Sequence, residues 1–310
     1  MGHRPFQPQP WITVSQGSSS LKSATEAMVL SQARPWDRCW WKASEGNLWV
    51  LIHIVLIHSL ALVGIVLFPI PGWKVFAVAL AATLLGGVGT TVCYHRYLAH
   101  KTFRMNPVLE QILIFFAVAN GSGAPLSWTA NHRAHHSTSD TVEDVSSPRY
   151  GGFWWAHLRW LYQWPAGDVS RWCRDLDRRR YWIWTVFQVP ILLIGGLGGI
   201  LLGWPGLFWI GPIRLVYSLH MQCFVNSLLH LPVKDLPGDT DCSRNIWWLG
   251  PLQLTAWGEN WHRNHHDRPR AARFSRAWWQ VDVGWWTIRL FQFFGLVWDV
   301  SADGGAGPPA

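Results

Sequence analysis

The sequence predicts an all-α integral membrane protein with four transmembrane helices arranged as two hairpins. Three observations carry that prediction. Charged residues make up 14% of the chain, against about 25% in soluble domains, while 49% are hydrophobic. Apolar stretches long enough to span a bilayer come in two pairs, each pair joined by a short turn. The polar, basic segments outside those pairs carry all the clustered histidines, on one side of the bilayer by span count.

In chain order, residues 1–46 read as a cytoplasmic N-terminal arm without the apolar core of a signal peptide. Its end, from Arg34 to Lys42, is basic and aromatic, as expected at an inner membrane face. Leu48–Ile70 is the first span; His53 and His58 within it read as helix-contact or capping residues rather than ligands. Pro69 to Gly72 form a turn, and Val75–Cys93 is the second span, where Gly86, Gly87 and Gly89 allow close helix contact. His95 and His100 follow where this helix leaves the membrane, beside Arg96, Lys101 and Arg104, which mark the cytoplasmic side.

Val108–Pro125 is apolar, but a full span here would put His132 across the membrane from His95. It is therefore expected to be a re-entrant or interface-lying helix of about 18 residues. Residues 127–180 are polar and cytoplasmic, with surface-lying aromatic helices such as Phe153 to Trp155. Trp182–Gly203 and Leu207–Leu229 are the third and fourth spans, joined by the charge-free turn Gly203-Trp204-Pro205-Gly206. Asn226 and His230, four apart, share a face at the cytoplasmic end of the fourth. Residues 231–300 return to the cytoplasm, with Arg268, Arg270, Arg273 and Arg276 and an interfacial aromatic helix over Trp285–Val297. The membrane domain thus covers 47–300, with spans near 48–70, 75–93, 182–203 and 207–229, and 301–310 is a flexible tail.

One word is written twice in this chain. His132-Arg133-Ala134-His135-His136 and His262-Arg263-Asn264-His265-His266 share the pattern H-x-x-H-H, and His95-x4-His100 lies upstream. Positions i, i+3 and i+4 share a helix face, so each triplet is expected to converge on one point. Imidazole is the common ligand for iron, zinc and copper. A lone histidine is ordinarily a hydrogen-bonded structural residue; eight in this spacing point to metal. The formal charge of +8 fits an anionic membrane surface rather than nucleic acid, because no basic run is interleaved with aromatics. The five cysteines are scattered and imply neither a disulfide framework nor a zinc ribbon. A metal transporter would set its histidines near mid-span, whereas these flank the spans.

These residues resemble the membrane fatty-acyl desaturases, in particular their Δ9 acyl-CoA and acyl-lipid branch. The resemblance covers about residues 45–300. It rests on His95-x4-His100, on Pro125-Leu126-Ser127-Trp128 leading into His132, on Gly152-Phe153-Trp154-Trp155-Ala156-His157, on Asn226-Ser227-x-x-His230, and on Trp257-Gly258-Glu259-Asn260-Trp261-His262. The resemblance implies a cytosolic helical cap that holds two irons through nine histidines: His95, His100, His132, His135, His136, His230, His262, His265 and His266. It also implies that Asn226 reaches a metal through water and that Trp128 lines an acyl tunnel. His157 is not a ligand in that family. The chain departs from the family pattern at Asn260, at Ser127, around Asp144-Val145-Ser146, and at Gln222-Cys223, where a Thr-Trp pair usually shapes the bend of the bound chain.

The chemistry implied is removal of two hydrogens from unactivated C–H bonds, which no acid or base side chain can perform. An O₂-derived oxidant, and hence a redox metal, is required; zinc cannot serve. Carboxylates such as Asp140, Asp144 and Glu259 can orient the imidazoles, whereas Glu143 reads as a solvated charge. The sequence carries no nucleotide fingerprint and no haem motif of the fused-cytochrome type, so electrons are expected from a partner, a ferredoxin or a cytochrome b5-like protein with its reductase. Hydroxylation or acetylenation on the same scaffold, acting on an acyl-carrier thioester, is the alternative outcome.

Overall fold

The computed structural model describes residues 35–165, 167–232, 240–249 and 257–305. Most of the N-terminal arm, residues 1–34, and the end of the tail, residues 306–310, lie outside the described residues. The described chain is predominantly helical. Among the described residues, three helices are long and apolar enough to cross a membrane: Leu48–Leu67, Trp73–Ala99 and Gln188–Ser227.

The first, α1, stops at Leu67 rather than Ile70, because Phe68 precedes a proline and leaves helical φ/ψ (−135°, 64°). Ile52, Val55, Leu56, Leu62 and Val66 are at least half exposed along it, an apolar surface suited to lipid. The second, α2, is Trp73–Ala99. It is α-helical to Val88 and π-helical over Gly89–Ala99, so it runs past Cys93, where the sequence places its end. His95 thus lies inside the helix and His100 is its C-cap. Packing against the next helix, α3 (Pro107–Ala119), supports this extension. Gly89 sits on the α3 backbone, where a Cβ would come within 2.3 Å of the Leu113 oxygen.

Helix α3 begins at Pro107 with the Asn106 side chain accepting from the Val108 and Leu109 amides. It ends before Gly121 and Gly123, both at φ +81°. Its 13 residues extend only about 20 Å, short of the ~30 Å hydrocarbon core. The expected 18-residue helix is therefore shortened by this glycine turn. Arg214 closes its carbonyl end, donating to Ala119 O at 2.9 Å and Asn120 Oδ1 at 3.0 Å.

Then come α4 (Pro125–Ser137), α5 (Pro148–Trp154, continued by a π-helical Trp155–Arg159) and α6 (Arg178–Val186). Of the aromatic stretch expected on the surface, Trp154 is exposed but Trp155 is buried. Glu110 of α3 is buried and accepts from Arg180 and Tyr181 of α6. The apolar segment expected from Trp182 starts instead at Gln188. Pro190 cannot donate to the Val186 carbonyl, so the chain breaks at Phe187 and Pro190 falls in the first turn of α7 (Gln188–Leu197). A 3₁₀ stretch, Gly198–Leu202, leads to Gly203 at φ +78°, where the chain doubles back. A Cβ on Gly199 or on Gly206 would lie 2.2 Å from the other's carbonyl oxygen, so the two legs touch backbone to backbone. The return leg ends in α8, Arg214–Ser227. Trp209 Nε1 on this leg donates to Phe68 O at 2.8 Å, tying it to α1.

The C-terminal part contributes α9 (His262–Asp267), α10 (Val283–Phe293) and a two-residue ribbon in which Arg104 pairs with Trp298 and Met105 with Val297. The core joins Val92, Tyr94 and Leu98 of α2 to Leu113, Ile114, Ala130 and Ile288. Arg96 and Asp282 form a wholly buried ion pair at 2.9 Å that fixes the start of α10 to the end of α2.

Candidate metal centre

The π-helical end of α2 explains the H-x4-H spacing. On an α-helix, residues five apart diverge by about 140°. On a π-helix they are hydrogen-bonded neighbours. The His100 amide donates to the His95 carbonyl at 3.2 Å, and the two imidazoles lie 5.1 Å apart between centroids.

The two H-x-x-H-H segments lie on α4 and α9, but neither converges on one point as the spacing suggests. Each is split between two clusters. His95, His100, His132, His136 and His265 form cluster one, and His135, His230, His262 and His266 form cluster two. Within a cluster the ligand-capable atoms all lie within 4.8 Å of one another. Helix geometry is the reason. Residues i and i+4 are only about 40° apart, whereas i+3 falls about 60° to the other side of i. So α4 gives its pair, His132 and His136, to cluster one and His135 to cluster two. α9 does the reverse, with His262 and His266 in cluster two and His265 in cluster one.

The imidazoles face each other through Nε2. In cluster one, His95–His265 and His265–His136 are 2.9 Å apart and His100–His132 2.8 Å. In cluster two, His230–His262 is 3.0 Å and His266–His262 3.1 Å. The outward Nδ1 atoms meet carboxylates: His95 with Glu259, His135 with Asp144, His230 with Asp140 and His266 with Asp241, at 2.7–2.9 Å. In the neutral ring, an Nδ1–H that donates outward leaves the Nε2 with only its lone pair. His230 and His266 therefore present two lone pairs to the one Nε2 of His262. Among the described residues, buried His135 Nε2 has no hydrogen-bond partner. Burial first, and then neighbouring imidazoles, hold His100, His132, His136, His262, His265 and His266 well below the usual histidine pKa near 6.5, so these six are neutral at pH 7. Burial also opposes charge on His135, but Asp144 raises it. Burial works to raise the carboxyls of Asp140, Asp144 and Glu259 too; their paired histidines outweigh it and lower them. Neutral nitrogens packed lone pair to lone pair fit cations between them, and the all-imidazole donor set suits a redox-active transition metal.

Arg133, inside the first H-x-x-H-H, ties α4 to the end of α2. It donates to the Leu98 and Ala99 carbonyls at the end of α2 and to Asp175. Asp241 is the orienting residue that sequence reasoning missed; its only signal was an acid in the loop before α9. Glu143 is exposed, as expected.

A cavity of about 530 Å³ reaches both clusters. His95, His132 and His135 line one part, and Trp128, Gln222, Cys223 and Asn226 are also in its wall. Trp128 stacks on His132 at 4.9 Å between centroids. His53 lines the cavity, but His58, His157 and His220 belong to neither cluster. They form a string: Ile54 O to His58 Nδ1 2.7 Å, His58 Nε2 to His220 Nε2 3.0 Å, His220 Nδ1 to His157 Nε2 2.8 Å, His157 Nδ1 to Ser227 Oγ 2.8 Å.

Residues 71–291 match the family model for fatty acid desaturase. The chain is 34% identical over 292 residues to Delta-9 acyl-lipid desaturase 2 of Arabidopsis thaliana, covering 92% of each chain. It is 34% identical to the sn-1 stearoyl-lipid 9-desaturase of a Synechocystis species, covering 81% of this chain and 79% of that one. It is 32% identical to an acyl-CoA 5-desaturase of Anemone leveillei, covering 86% and 82%. With its histidine segments and the match running through most of its length, this chain belongs to the fatty acid desaturase family.

Proposed function

We propose that this protein is an O₂-dependent desaturase of fatty-acyl chains with a non-heme di-iron centre. The balanced reaction is R–CH₂–CH₂–R′ + O₂ + 2 e⁻ + 2 H⁺ → R–CH=CH–R′ + 2 H₂O. The observation that carries the reading is the wall shared by cavity and clusters: Trp128 lines the cavity and stacks on His132, so an apolar chain lying there runs beside the histidines. Cluster one would hold one iron through five imidazoles. Cluster two would hold the other through four, with Asn226 acting through water. Iron supplies the oxygen-dependent redox chemistry when bound.

The chain's own residues do the rest. Glu259, Asp140, Asp144 and Asp241 hold the imidazoles in one tautomer and one orientation. Trp128, Gln222 and Cys223 shape the tunnel and exclude water from the reacting carbons. The hairpin turn at Gly203 supports four membrane crossings, with the helical cap, the histidines and both termini on the cytoplasmic side. The two electrons come from an external donor such as a ferredoxin or a cytochrome b5-like protein with its reductase, docking on the basic cap. The substrate is an acyl-lipid, acyl-CoA or acyl-carrier thioester, and the bilayer is its solvent. Expression in a host lacking desaturases, followed by mass spectrometry of total fatty acids, tests the proposal. A loss of two hydrogens is expected. A gain of oxygen, or a loss of four hydrogens, would overturn it.

A further inference from the structure

The imidazoles divide five to four between the clusters, but the carboxylates behind them divide the other way. Among the described residues, cluster one has one: Glu259 on His95. Cluster two has three: Asp144 on His135, Asp140 on His230 and Asp241 on His266. Asp140 and Asp144 have no exposed side-chain surface. Both are fastened as acceptors. The Cys242 amide donates to Asp140 at 2.8 Å, and the Asp140 and Ser146 amides donate to Asp144 at 2.9 and 3.0 Å. Hydrogen bonds of this kind favour the ionised form. Three of the four imidazoles in cluster two are thus oriented in advance, with three negative charges at their backs. Cluster one has one such imidazole among five.

We infer that the two metal sites are inequivalent, and that cluster two, despite having fewer histidines, is the tighter and fills first. A carboxylate accepting from the far ring nitrogen makes the near nitrogen a stronger donor and fixes its aim; losing such a partner costs about 10–100-fold in metal affinity. The surplus negative charge also stabilises a divalent ion, and a trivalent one more, at short range in a buried site. Half-loaded protein therefore carries its metal on His135, His230, His262 and His266. This inference rests on reading the clusters as metal sites, and the test separates the two.

Metal-free full-length protein in detergent is titrated with Co(II), using visible absorption and competition with a chelating dye. Two resolved steps are expected. His262→Ala should abolish the tighter step and His100→Ala the weaker one. Asp241→Asn should weaken the tighter step about 10–100-fold and leave the weaker unchanged. Glu259→Gln should do the opposite. The Asp241 side chain is 32% exposed, so its exchange is tolerated by the fold. One step of two equal sites, or an Asp241→Asn effect confined to the weaker step, would overturn the ordering and leave the metal reading intact. No Co(II) uptake by wild-type protein would overturn both.

Discussion

His230 Nδ1 donates to Asp140 at 2.7 Å, and both side chains are wholly buried although 90 residues of chain separate them. A lone histidine just past the end of an apolar helix would ordinarily be a cap. Here it is aimed by a carboxylate and faces His262. His230→Ala is expected to remove one metal equivalent and all turnover. Asp140→Asn should retain the fold and lose about 10–100-fold in metal affinity at that site. Wild-type metal content and activity in His230→Ala would return the residue to a structural role.

The splitting of each H-x-x-H-H segment makes a prediction about pairs. His135→Ala with His262→Ala removes two nitrogens from the same cluster, so about one metal should remain per chain. His135→Ala with His136→Ala takes one from each cluster, although the residues are adjacent. Both metals should then be weakened. Metal analysis of the two double variants decides it; the reverse pattern, with about one metal kept by His135→Ala/His136→Ala and both weakened in His135→Ala/His262→Ala, would mean that each segment serves a single site.

The doubling-back at Gly203 predicts topology. A reporter placed after Ser137 should face the cytoplasm and one placed in the Gly203–Gly206 turn should face outward. Finding the two on the same side would remove the four-crossing arrangement.

Arg133 bonds the end of α2 to α4 and pairs with Asp175 at 2.6 Å. Arg133→Met should destabilise the protein by about 2 kcal/mol through unpaired carbonyls. Burial works to raise the Asp175 carboxyl, but Arg133 and Lys101 hold it well below its ordinary range. A depressed carboxyl contributes stability that is fully present above its unfolded pKa, about 3.9, and is lost as pH falls through and below that value. Thermal unfolding in detergent between pH 5 and pH 2 should therefore show a steeper loss for wild type than for Asp175→Asn, most of it below pH 4. Parallel curves would show that this pair contributes nothing to acid sensitivity.

Cys223 lies in the cavity wall and is 5% exposed. Cys223→Phe should fill the tunnel, lowering turnover more than about 10-fold while leaving metal content unchanged. Equal turnover on the same acyl chains would place the chain elsewhere.

Much of this architecture was legible because hydrophobic runs and histidine spacing are local signals. The apolar stretches, the short α3 and the aromatic α10 are all visible as composition. The boundaries were not. The π-helical extension of α2 through His95 depends on packing against α3, and the break at Phe187 depends on where Pro190 falls in a turn. The nine imidazoles were named from spacing and resemblance, but their partition was not, because i+3 and i+4 look equivalent in a sequence and diverge on a cylinder. Asp241 was invisible because its partner is 25 residues away and only the fold brings the two together.

The string from Ile54 to Ser227 can be counted in protons. It has five contacts once the Ser227 hydroxyl donating to Cys223 O at 2.9 Å is included. Both ends are carbonyl oxygens, which only accept. Three neutral imidazoles and one hydroxyl bring four protons to five contacts. The string closes only with one proton more than its neutral parts supply, and without it one contact must open. Burial first, and then His220, lowers His157 to about 4, so the neutral string, one proton short, leaves one of the contacts that join α1, α8 and α5 without a hydrogen.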